Sequence, residues 1–152
     1  MVSTIAIGVD GSATADRALD IGAEIARRFD AKVVLLSVLR VASTKTSGLA
    51  AAGMATAGLA VDPVELEWRH EAAARVRSML ERSESRLRRA GLECSTLVDE
   101  GDPGDVLVRL AEECGADLMV VGSKGMQRRI LGSVPNTVTH KAPCSVLVVK
   151  TT

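Results

Sequence analysis

Four small residues carry the first chemical signal in this chain: Gly122 and Gly125, then Gly132 and Ser133. They follow the apolar run Asp117 to Val121, which reads as a buried strand, and they lead into a segment with helical spacing. Glycine lets a ligand approach the backbone closely, and a helix N-terminus presents unpaired N–H groups in a positive potential. The pattern therefore predicts an anion site, above all for phosphate. The same residues could also make a tight connection closed by an ordinary serine cap. Lys124, Arg128 and Arg129 lie in the same loop, where they either neutralise phosphate or form a solvated basic face.

Asp10 is the second signal. It ends the apolar run that begins at Thr4 and is followed by Gly11 and Ser12. A carboxylate at such a strand end can accept hydrogen bonds from ribose hydroxyls, hold a divalent cation beside phosphates, or simply shape the turn. Other chemistries lack their residues. There is no P-loop pattern, no G-x-G-x-x-G after the first strand and no G-x-S-x-G elbow. His70 sits among charges and His140 near the end of the last helix, neither with a nucleophile at a suggestive spacing, so no hydrolytic triad is expected.

The elements that must position these residues can be read from the same sequence. Thr4 to Val9 reads as a strand and Lys32 to Leu39 as another, apolar on both faces as in the interior of a parallel sheet. Between them Ser12 or Thr14 can cap a helix whose apolar positions run Ala18, Leu19, Ile21, Gly22, Ile25, Ala26 and Phe29. Residues 40–62 are Ala-, Gly-, Ser- and Thr-rich with few charges, which predicts a mobile loop or, alternatively, a lid. Pro63 opens a long helix to about Ala90, with Val76, Leu80 and Leu87 on one side and Gly91 ending it. Leu92 to Val98, polar at alternate positions, reads as a strand near a sheet edge. Asp102 and Pro103 start a helix that runs to about Cys114. Ser133 or Val134 begins the last helix, with Pro135 in its first turn, and Cys144 to Val149 is a fifth strand.

This alternation predicts an α/β domain, a doubly wound five-stranded parallel sheet with helices on both faces. Ligands of such sheets sit at the carboxyl ends of strands where the winding reverses, here the first and fourth. A length of 152 residues suits one domain, 1–152. Nineteen basic and nineteen acidic residues cancel, so no global field favours nucleic acid or anionic lipid. Phe29 and Trp68 are the only aromatic residues, too few for a base-stacking surface. Cys94, Cys114 and Cys144 are widely spaced and read as small buried hydrophobes in a reducing compartment. The opening residues show no basic, cleavable leader, and no apolar run reaches the roughly 20 residues of a membrane span. A cytoplasmic location is the expectation.

Taken together, Gly8-Val9-Asp10-Gly11-Ser12, Ala116-Asp117 to Gly125, and Leu131-Gly132-Ser133-Val134 leading to Ala142-Pro143-Cys144 and Val149 resemble the universal stress protein family along essentially the whole chain. The resemblance implies an adenine nucleotide α-hydrolase-like sheet of order 3-2-1-4-5 and a homodimer paired through the last strands, residues 144–149. That family includes ATP binders with the pattern G-x2-G-x9-G-S/T. By similarity Asp10 would meet the ribose, and Val9, Val38 and Val121 the base and sugar. Gly122, Gly125, Gly132, Ser133 and Val134 would meet the phosphates of ATP, with Mg²⁺ alongside and Asp10 as its protein ligand. The chain departs from the pattern in one place: six residues, Met126 to Leu131, stand between Gly125 and Gly132. Three fewer residues shorten the reach by up to about 10 Å, and Arg128 and Arg129 could then contribute directly. The resemblance implies a nucleotide-binding regulatory protein with at most slow hydrolysis. A nucleotide-independent interaction module and a cyclic AMP binder are the alternatives.

Overall fold

Two sets of alternating side chains on one sheet organise the molecule. In the computed structural model, which describes residues 1–40, 62–123 and 131–150, the elements run β1 (Thr4–Gly8), α1 (Ala13–Phe29), β2 (Lys32–Leu39), α2 (Pro63–Arg89), β3 (Cys94–Glu100), α3 (Pro103–Glu113), β4 (Leu118–Gly122), α4 (Ser133–Lys141) and β5 (Ser145–Val149). The five strands are parallel in the order β3-β2-β1-β4-β5, as expected. Ile5 is in register with Val33 on one side and Leu118 on the other. The predicted loop 40–62 falls, apart from its two end residues, outside the described residues, as do Lys124, Gly125, Arg128 and Arg129.

On one face Ile5, Ile7, Val33, Leu35 and Val120 pack with Ala18, Leu19 and Ala26 of α1 and Leu80 and Leu87 of α2. On the other, Ala6, Val34, Leu36, Met119 and Val121 pack with Val106, Leu107, Leu110 and Ala111 of α3 and Val138 of α4. Each inner strand thus buries both of its faces, which is why its sequence is continuously apolar rather than alternating. The polar alternation of β3 matches its place at an edge of the sheet.

Helix signals act as their chemistry requires. Ser12, not Thr14, caps α1, its hydroxyl accepting from the Ala15 N–H at 3.2 Å. Asp62 and Asp102 cap α2 and α3 in the same way, and Pro63 and Pro103 follow in first-turn positions where a missing N–H costs nothing. Two readings shift. Phe29 is 53% exposed rather than part of the apolar stripe, because it is the last residue of α1 and the chain turns away at Asp30 in a left-handed conformation (φ 54°). The three cysteines are free and only partly buried. Desolvation is the main influence on the Cys114 and Cys144 thiols and raises their pKa. Early in α2, Val64, Leu66 and Trp68 are all exposed, Trp68 at 64%.

Candidate functional site

The crossovers leave β1 and β4 in opposite directions, β1 toward β2 and β4 toward β5. A crevice forms where adjacent parallel strands diverge in this way. The strand ends here are Val9-Asp10 and Val121-Gly122. A cavity of about 80 Å³ lies against them. Its walls bring together Val9, Asp10, Val38, Val121, Gly122 and Val134, all six singled out from the sequence. Ser12, Thr14 and Ala15 of the β1–α1 turn, Ser37 and Arg40 at the end of β2, and Pro103 and Leu107 of α3 complete the lining.

Local hydrogen bonds fix this geometry. The Asp10 carboxylate accepts the Ser12 N–H at 2.9 Å, an Asx turn that orients it at the mouth of the cavity. Val9 donates its N–H to the Leu36 carbonyl at 2.9 Å, and the buried Ser37 hydroxyl donates to the Val9 carbonyl at 3.0 Å. Together they tie the end of β1 to β2. Ser123 is likewise buried, and its N–H donates to the Val149 carbonyl, which ties the end of β4 to β5. Neither serine was given a role from the sequence, although Ser123 lies within the glycine motif and a serine inside the apolar run of β2 was a visible irregularity.

Gly122 has a structural reason independent of any ligand. A Cβ there would lie 2.7 Å from the carbonyl carbon and 2.8 Å from the oxygen of Thr14. The first turn of α1 therefore crosses the end of β4 too closely for any side chain.

At α4 the capping residue is Gly132 rather than Ser133, and no side chain caps this helix. Ser133 occupies the first helical position. The helix start thus leaves the Ser133 and Val134 N–H groups without a side-chain acceptor, while Pro135 has none to offer. Val134 belongs to both the first cavity and a neighbouring one of about 540 Å³, where it is joined by Ser133, Arg40, Asp102, Pro103, Gly104 and Thr137. Gly132 caps the helix beside these cavities without lining either.

The donor set can be tested against a metal. No group of three or more His, Cys, Asp or Glu residues able to hold an ion exists among the described residues. A Mg²⁺ at Asp10 would therefore depend on phosphate oxygens and water for most of its shell, the usual manner of that ion beside nucleotides. His70 is exposed, and the Nδ1 of His140 lies 2.8 Å from the Asn136 carbonyl on its own helix. Neither imidazole lines the cavity.

A parallel sheet in this order, with a cavity at the point where its winding reverses and an open helix start beside it, defines a doubly wound α/β protein with a crevice at its topological switch point. Within that class, the chain belongs to the universal stress protein family, whose model matches residues 1–150. A similar relative is the universal stress protein Rv1636 of Mycobacterium tuberculosis, 35% identical, with 98% of this chain and 97% of the relative covered. Among solved structures, universal stress protein UspA from Lactobacillus plantarum superposes with a TM-score of 0.79 at 24% identity, covering 97% of each chain. A universal stress protein in complex with cAMP superposes with a TM-score of 0.66 at 28% identity, covering 97% of this chain and 96% of the other.

Proposed function

We propose that this chain binds an adenine nucleotide, with ATP the foremost ligand, at the carboxyl ends of β1 and β4, and acts as a nucleotide-responsive regulatory protein of the cytoplasm. The observation that carries the reading is the convergence of Val9, Asp10, Val38, Val121, Gly122 and Val134 on one cavity beside the uncapped start of α4. Val38 supplies apolar surface, and the strand-end backbone at Val9 and Val121 meets base and sugar. The Asp10 carboxylate accepts from the ribose hydroxyls. The N–H groups of Ser133 and Val134 and the Ser133 hydroxyl face the phosphates, as helix starts do for anions. Gly125, Gly132, Arg128 and Arg129 complete the phosphate side in this reading. Mg²⁺ supplies charge neutralisation between the phosphates and Asp10. Asp10 is the one carboxylate of the lining among the described residues, and this reading commits it to the ribose and the cation, so hydrolysis is at most slow. The bare outer edge of β5 pairs with a second copy in a homodimer through residues 144–149, covering an otherwise exposed strand.

The test is calorimetric titration with ATP and Mg²⁺ of the wild-type protein, Asp10→Asn and Ser133→Ala. Asparagine keeps an oxygen for the Ser12 N–H but replaces the second acceptor with a donor. Loss of one charge-assisted hydrogen bond weakens binding about tenfold or more. Absence of binding at millimolar ATP, or affinity indifferent to both changes, overturns the proposal. Gly122→Ala does not serve here, because Thr14 excludes its methyl group whatever the ligand. The neighbour solved in complex with cAMP favours a second reading, in which the cyclic nucleotide is the ligand. Competition of cAMP against ATP on the same protein separates the two.

A further inference from the structure

Asp10 borders two spaces. One is the small cavity just described. The other, of about 690 Å³, opens between the ends of β1 and β2 and the middle of α2. Ser37, Val38 and Arg40 also line both, so the two are continuous around the end of β2. On the α2 side the wall carries Arg75 and Arg82, two helical turns or about 10 Å apart on one face. Between them Met79 rests against the β1–α1 turn, its sulfur 3.4 Å from where a Gly11 Cβ would stand.

The charge on this wall is one-sided. Arg40, Arg75 and Arg82 line it together with Asp10, the single acidic residue of the lining among the described residues. On the same helix Arg69 pairs with Glu65, Arg86 with Asp16 and Asp20, and Arg88 with Glu84, whereas Arg77 and Arg89, which do not line the cleft, make no ion pair among the described residues. Arg40, Arg75 and Arg82 make no ion pair among the described residues. Three arginines lining one cleft, each with a planar fork of donors, supply the chemistry that receives an oxyanion.

We propose that this cleft is a second anion site and that the ligand is an adenine nucleotide bearing a further phosphate on the ribose hydroxyl edge. The inference rests on the nucleotide reading above. A carboxylate that receives a ribose hydroxyl must face the hydroxyl edge of the sugar. Because Asp10 also lines the arginine cleft, a substituent on that edge leads toward Arg40, Arg75 and Arg82. The hydroxyl left unsubstituted still donates to Asp10, and three positive charges outweigh the repulsion from its one negative charge.

Isothermal titration at low ionic strength with AMP and with adenosine 3′,5′-bisphosphate tests this, using the wild type, the double variant Arg75→Gln/Arg82→Gln and the distant control Arg27→Gln. All three arginines are exposed, so the variants are expected to fold, which thermal melting checks. The expected result is that the wild type and the control bind the bisphosphate about tenfold more tightly than AMP. In the double variant that preference disappears while AMP affinity is unchanged, and in the wild type it shrinks as salt is raised. Equal affinity for the two nucleotides in the wild type, or a preference that survives the double substitution, overturns the second anion site and leaves the nucleotide reading standing. Failure of the wild type to bind AMP, ATP or the bisphosphate overturns both.

Discussion

At Gly122 one residue answers to two demands. The backbone of Thr14 excludes a side chain there, and the same bare backbone borders the candidate site. Gly122→Ala should therefore lower thermal stability by about 1–3 kcal/mol through overpacking, measurable by chemical denaturation without ligand. The glycine signal was visible in the sequence, but its cause was not, since the collision partner lies more than a hundred residues away. Ser133 teaches the converse. A serine at a helix start suggests a cap, yet Gly132 takes that position and the hydroxyl moves one place inside, a shift that spacing alone does not resolve. Asp117 makes a separate case at the opposite end of the sheet. Its carboxylate accepts the N–H groups of Ser3 and Thr4 at 2.9 and 3.0 Å and the Ser3 hydroxyl at 2.9 Å. These bonds, first of all the Ser3 N–H, lower its pKa below the ordinary 3.8. A depressed carboxyl contributes its stabilisation in full above the ordinary value and loses it as pH falls through the depressed one. Asp117→Ala is expected to melt lower than wild type at neutral pH and to lose less stability between pH 4 and the acid limit. Parallel melting curves for the two proteins, with no convergence in acid, would refute the role.

Among the elements, α2 is divided along its length. Its buried residues, Leu80, Ser83 and Leu87, all lie in the C-terminal half, whereas from Val64 to His70 every residue is exposed except the half-buried Glu65. Leu87 is 2% exposed in the core, so Leu87→Ala should cost about 2–5 kcal/mol in denaturant titrations. The first three turns rest on capping by Asp62 and on surface ion pairs such as Arg69 with Glu65, each worth little. Hydrogen exchange should therefore run faster over the first three turns than over residues 80–89, and uniform protection along α2 would contradict this division. Sequence reading recovers the element well because Pro63 and Gly91 mark both ends. The uneven anchoring is harder to see, since it depends on which turns lie over the sheet.

For the whole molecule, the alternation of strand and helix signals was enough to indicate a doubly wound parallel sheet, because right-handed crossovers leave few other arrangements. The strand order followed from the family resemblance rather than from periodicity. The arginine cleft was invisible beforehand, since Arg40 and the pair Arg75 and Arg82 meet only after α2 folds back over β2. Among the described residues no helix is long and apolar enough to cross a membrane. Trp68 is the single tryptophan of the chain and, at 64% exposure, already stands in water when the protein is folded. Its fluorescence should consequently shift little on denaturation, and circular dichroism should report a transition that the indole emission largely misses. That optical silence makes the indole a ready signal in another respect: a shift of its emission to the blue would register any body that settles on the outer turns of α2, with no label added.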